Sequence, residues 1–397
     1  MPNSSAPAQS HATKLSMPVL LERARQSAGL SDFGDSWFLN PLSEVVEMIN
    51  AEAGLLSDDE PPVRNIIDSL ALRLRRVEYL RRNPRALEEN VEVAGVIIGL
   101  PRGGSTLLQR LLSTSSQLNH APWWELVHPL PLAEETPGNP AQRIALGKQA
   151  EKWLYEAWPE MWAMHQVDAL GPDEEIMLID RTPLCIMFSH YFNVPSYMPW
   201  LMRQDHSKAY EELKTWFKIL QYEKPERRGR PWLLKSPHHL LSGGLRTMLE
   251  TFPDAKAIMT HRTLESVLIS YCSLQRLTIA KYTSSLDPKN LGQEAIRAFR
   301  GAIDNLIEVR KSYPRDRFVD IQYRDTVSQP LDVYRATMRA MGLEPSESDG
   351  RAARAWMDAN GREKHPPHHY KPEDYGVTRE EIAREFADYH EQFVRPG

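Results

Sequence analysis

The stretch Val96-Ile-Ile-Gly-Leu-Pro-Arg-Gly-Gly-Ser-Thr-Leu-Leu108 constrains this chain more than any other. The apolar run Val96 to Ile98 predicts a buried strand, Pro101 to Gly104 a tight turn, and the apolar periodicity from Ser105 a helix. Such a unit binds anions. Glycines let backbone N–H groups close around the charge, and the helix N-terminus adds its partial positive end. Strands recur at about 231–235, 255–261 and 317–323, each followed by a helical pattern. Strands alternating with helices predict an α/β fold, a three-layer αβα arrangement around a central parallel sheet. Ligands of such sheets bind at the carboxyl ends of the strands.

The spacing Gly99-x4-Gly104 is that of a P-loop, but Ser105 stands where that motif needs lysine, and the cation is Arg102 inside the turn. A cradle lacking the β/γ-phosphate lysine suits a nucleotide with no transferable γ-phosphate. The loop resembles the 5′-phosphosulfate loop of sulfotransferases that use 3′-phosphoadenosine 5′-phosphosulfate (PAPS), in the Pro-Arg form of the tyrosylprotein and bacterial branches. The resemblance implies that Arg102, Gly103, Gly104, Ser105 and Thr106 hold the donor.

Two further blocks follow in the family's order. Arg262, at the end of the strand Ala255 to His261, and Ser270 on the next helix form an Arg-x7-Ser pattern. It is similar to the family's 3′-phosphate site, where an arginine fork and a hydroxyl complete the phosphate's shell. The family's usual Arg-Asp-Pro or Arg-Asn-Pro is here Arg262-Thr263-Leu264, with Thr263 placed to cap the helix. Trp232-Leu-Leu-Lys-Ser-Pro237 resembles the element whose lysine, here Lys235, contacts the transferred sulfuryl group. Tyr323 stands where the family has a tyrosine near the adenine, and Lys364 and Tyr370 lie in a basic C-terminal loop similar to one that covers the 3′-phosphate.

The resemblance implies in-line sulfuryl transfer from PAPS to a hydroxyl acceptor, with cations on the sulfonyl oxygens and a base for the acceptor proton. Arg102, Lys235 and Glu125 are the catalytic candidates. Glu125, in Pro122-Trp-Trp-Glu125, falls near the place of the tyrosylprotein branch's glutamate, and tryptophans around it predict partial desolvation. His120, His128 and His190 are the alternatives. No metal is implied: the transferred group is singly charged, and His365, His368 and His369 lie among prolines without ligand spacing. The acceptor stays open between sterol, lipid, glycan and phenol. The rival readings are a P-loop kinase, which wants a lysine at position 105, and a non-catalytic PAP-binding protein.

The net charge of −5 gives no general pull toward nucleic acid or membrane, so the anion-binding character must be local. Two cysteines, Cys185 and Cys272, in apolar runs argue against a disulfide scaffold. No apolar run reaches the ~20 residues of a membrane span, and the polar start lacks a signal-peptide core. A cytoplasmic protein is expected, with a small-molecule acceptor as its partner and a homo-oligomer left open. The expected organisation is a disordered tail over 1–16, a helical region over 17–90, and a transfer domain over 91–397. An aromatic and methionine-rich helical insertion at about 140–225 would form the acceptor site. Arg73, Arg75, Arg76, Arg81 and Arg82 read as the solvated face of an N-terminal helix.

Overall fold

The computed structural model describes residues 14–53, 60–136, 138–283, 286–360 and 371–395. Four strands form a parallel sheet in the order β2-β1-β3-β4: β1 (Val93–Ile97), β2 (Trp232–Lys235), β3 (Lys256–His261) and β4 (Phe318–Gln322). Every residue of β1 and β2 is buried, which is why both read as unbroken apolar runs. The residues of β1, whose register shifts between Val93 and Gly95, enter two separate cores. Val93 and Val96 join a large cluster with the N-terminal and inserted helices. Ala94 and Ile97 join a smaller one with Leu108, Leu111, Tyr334 and Met338. Helices thus cover both faces of the sheet, a P-loop-like αβα fold.

Before the sheet come α1 (Met17–Ala28), α2 (Leu39–Met48) and α3 (Pro61–Arg82). The α3 arginines correct an expectation. Arg75, Arg81 and Arg82 are exposed as predicted, but Arg73 and Arg76 are buried. Both pair with Glu212, at 2.6 and 2.9 Å. Arg73 also lies 4.1 Å over the Phe38 ring. The pairing carboxylate comes from the inserted helix Ser207–Tyr222, so nothing local to α3 announces it.

Three elements bring the carboxyl ends of the strands together. The β1–β2 register sets Ile97 beside Lys235. Helix α4 (Ser105–Leu112) rises from the turn after β1, burying Leu108, Leu111 and Leu112. Helix Leu264–Ile279 follows β3, with Thr263 at its N-cap in extended backbone; the Thr263 hydroxyl makes no cap bond. The backbone N–H of Leu264 donates instead to His390 Nε2 at 3.0 Å, from the C-terminal helix Ala387–Phe393. Thr378 does cap its helix, accepting from the Glu381 N–H, but that helix stops at Glu385 and a second runs to Phe393. Among the described residues no helix is long and apolar enough to cross a membrane.

Candidate functional site

The turn after β1 holds its shape by departing from ordinary backbone. Arg102 has φ +68°, the one non-glycine residue in the left-handed region among those described, and Gly104 has φ +91°. A non-glycine there costs about 1–2 kcal/mol, a strain that surrounding contacts must hold. The Arg102 side chain supplies them. Its Nε donates to Ser270 Oγ at 2.9 Å, and its guanidinium donates to the Met164 carbonyl. Gly104 has a second reason to lack a side chain, because a Cβ would overlap the Tyr323 ring. The first N–H groups of α4 have no intrahelical partners and face the turn.

Arg262 stands at the end of β3. Its Nη1 donates to the Arg102 carbonyl at 3.2 Å, and its guanidinium lies 4.3 Å over the Tyr323 ring. Tyr323 opens a short helix rather than ending β4. Arg102, Ser270, Arg262 and Tyr323 are therefore one contact group. Ser270 engages Arg102 rather than Arg262. The preceding His261 is fixed by Asp320 (2.8 Å) and the Tyr389 hydroxyl (3.0 Å), which anchors the strand end that aims Arg262.

Lys235 ends β2 beside the same turn. Its Nζ donates to Thr106 Oγ1 at 3.1 Å and pairs with Glu174. Its backbone N–H donates to Glu175 Oε2 at 2.8 Å, and Glu175 Oε1 lies 2.6 Å from His239 Nε2. Glu174 and Glu175 sit in an acidic triplet with Asp173 that sequence reasoning passed over. Burial, then the Glu174 charge, pushes the Asp173 carboxyl up to about 6.

A cavity of about 890 Å³ opens onto Arg102, Gly104, Ser105, Thr106, Lys235 and Arg262. Tyr323, Asp173, Glu174, His165 and His190 also line it. Burial, then the charges of Lys235 and Arg102, lowers His165 to about 3. Neither His165 nor the first turns of α3, whose Pro61, Arg64, Asn65 and Asp68 reach the cavity, was singled out from sequence. A carboxylate–ammonium pair thus stands between a cationic, N–H-rich end and a largely apolar chamber.

Glu125 is elsewhere, which corrects its expected position. The short helix Trp123–Val127 directs Trp123 to the cavity. Two residues on is about 200° around a helix, so Glu125 faces the other way. There it is 1% exposed and holds Arg227 at 3.1 and 2.5 Å and Lys224 at 3.0 Å. It is buried, and two cations occupy it. Glu125→Gln is therefore expected to destabilise the fold by about 3 kcal/mol, because it strips the buried Arg227 of its counter-charge. Urea denaturation measures the loss; kcat of the folded protein should change less than about threefold, whereas the loss of a general base costs ~10²-fold or more. His120 and His128 do not line the cavity; His190 does. Lys364 and Tyr370 lie outside the described residues.

The profile of the sulfotransferase family matches residues 96–349. Among solved structures, sulfotransferase STF9 from Mycobacterium avium is similar to this chain. The two are 23% identical with a TM-score of 0.83, over 98% of this chain and 99% of that one. Sulfotransferase STF1 from Mycobacterium tuberculosis H37Rv is also 23% identical, with a TM-score of 0.80 over 94% of this chain and 99% of that one. These two share the fold. No curated protein matches the chain.

Proposed function

The chain belongs to the sulfotransferase family, and we propose that it moves the sulfuryl group of PAPS to a hydroxyl acceptor, leaving PAP and a sulfate ester. The convergence of Arg102, Lys235 and Arg262 at the mouth of one cavity, around the turn that opens α4, carries this reading. The turn suits a phosphosulfate: the first N–H groups of α4 open onto it, and Gly104 keeps it free of a side chain that would overlap the Tyr323 ring. We assign Arg262, which lies over the Tyr323 ring, to the 3′-phosphate, Ser270 to the same phosphate's surroundings through Arg102, and Tyr323 to the adenine side.

In the transfer, the acceptor oxygen bonds to sulfur as the bond from sulfur to the phosphate oxygen breaks. Lys235 and Arg102 offset the charge that gathers on the sulfonyl and leaving oxygens. We assign the acceptor proton to Glu174 rather than Glu125. Glu174 lines the cavity and touches Lys235, so base and cation sit on one reacting centre. The division into a helical region over 17–90 and a transfer domain over 91–397 remains our reading. The start of α3 lines the cavity too, which makes the first region part of the acceptor site.

The deciding experiment is a mass-spectrometric screen of hydroxyl compounds with PAPS for a gain of one sulfuryl group. The donor site has its own check. Arg262→Ala should weaken PAP by ~2 kcal/mol or more, the worth of charge-assisted bonds to a phosphate. It should barely change the affinity for adenosine 5′-phosphosulfate, which lacks the 3′-phosphate. Equal losses in calorimetry would remove Arg262 from the 3′-phosphate site.

A further inference from the structure

Past the turn, the cavity continues into a chamber walled by Trp158, Met161, Met177, Met187, Leu274 and Tyr282. None of these carries charge. Asp173, whose carboxyl burial pushes up to about 6, faces the inner end of the cavity. Burial lowers His190 to about 4, as burial and nearby cations lower His165 to about 3, so both rings are neutral at pH 7. Glu174 and Lys235 neutralise each other at the inner end. Arg64 and Asp68, on the first turns of α3, are exposed and stand at the rim. Trp153, 53% exposed and edge-on to Trp158, forms another part of the rim.

Several of the wall's polar atoms are committed, while Trp158 Nε1 has no partner among the described residues. Thr278 Oγ1 donates to the carbonyls of Gln275 and Leu274 at 3.1 and 3.2 Å and lies 3.4 Å from His190 Nδ1. The Tyr191 hydroxyl donates to Asp180 at 2.9 Å, and so does the Asn65 amide at 3.1 Å.

We infer that the acceptor is a bulky, uncharged, mainly hydrocarbon alcohol or phenol, offered hydroxyl-first to Glu174 and Lys235. The inference rests on the sulfotransferase reading of the cavity and narrows its acceptor. A carboxylate, phosphate or ammonium lying against the six uncharged wall residues would lose its water with no counter-charge beside it. A sugar brings a hydroxyl on almost every carbon, and each needs a partner where this wall offers mostly hydrocarbon. Hydrocarbon meets neither cost. The volume of about 890 Å³ is near the top of the range of ~300–1,000 Å³ for small-molecule sites, room for a large body besides the donor's end. Three methionines in the wall add a soft surface that adapts to ring or chain shape. The site should therefore tolerate changes of skeleton and reject changes of charge.

The test uses the full chain, PAPS and three probes: a four-ring sterol alcohol, the same skeleton carrying a carboxylate on a middle ring, and methyl glucoside. The neutral sterol should be sulfated with kcat/KM roughly 100-fold above the other two, the discrimination expected from burying one unpartnered charge or several hydroxyls. Met187→Glu, which sets a carboxylate in the wall, should cut kcat/KM for the sterol at least ~10-fold by the same cost. PAP affinity and the thermal midpoint should stay near wild type. The inference is overturned if the glucoside or the carboxylated sterol is preferred, or if the enzyme–PAP complex neither binds the neutral sterol in calorimetry nor sulfates it. Failure of the wild-type chain to bind PAP is a separate outcome. It removes the sulfotransferase reading itself, and the acceptor inference with it.

Discussion

Glu174→Gln is expected to lower kcat by roughly 10²–10⁴-fold, the usual worth of a general base, with PAP affinity within about twofold of wild type. Glutamine keeps the size of the side chain, and its carbonyl can still accept from Lys235 Nζ. It cannot take the acceptor's proton. Pre-steady-state turnover at saturating PAPS and acceptor reads the chemical step directly. His165 is the control. It lines the same cavity near Arg102, and its depressed affinity for protons leaves a neutral ring that could accept one. An active Glu174→Gln beside a dead His165→Ala would move the proton to His165. The Glu125→Gln variant separates the two carboxylates by phenotype: Glu125 loss should appear in denaturation, Glu174 loss in kcat.

The difference between these two glutamates shows where sequence stops being informative. The turn, Lys235 and Arg262 were readable because each follows an apolar strand, and a parallel sheet puts all its strand ends on one edge. Local pattern and position in the fold say the same thing there. The acidic triplet Asp173, Glu174 and Glu175 has no such companion. In sequence it is a short charge run, ordinarily solvated; only the path of the inserted helices carries it beneath the end of β2, where Lys235 Nζ and backbone N–H each meet one carboxylate. Its one local sign is the apolar run Ile176 to Ile179 that follows at once, with Ile176, Leu178 and Ile179 buried. Glu125 failed for the opposite reason. Its tryptophan neighbours do mark a cavity wall, but the half-turn between Trp123 and Glu125 decides which of them sees the cavity, and Arg227 and Lys224 were invisible as partners. The same holds for Arg73 and Arg76, whose shared Glu212 lies far along the chain. The sheet was legible from periodicity; the ion pairs, made between distant segments, were not.

Lys235→Ala is the second large effect, and its size depends on Glu174. The lysine is 2% exposed, touches Thr106 on α4 and pairs with Glu174. Its charge matters most as the bond from sulfur to the phosphate oxygen breaks, so its removal should lower kcat by roughly 10²–10³-fold, as for loss of one charge-stabilising donor. A second consequence follows from the pairing. Without the ammonium, Glu174 loses the ion pair that holds it at the reacting centre. The alanine variant therefore loses part of the base's contribution together with the cation's, and the two losses cannot be independent. A double-mutant cycle should show it: Lys235→Ala with Glu174→Gln should fall short of the product of the single effects by ~10-fold or more, as for residues acting as one unit. If the two losses simply multiply, the pair does not share one reacting centre, and Lys235 and Glu174 serve the transfer separately.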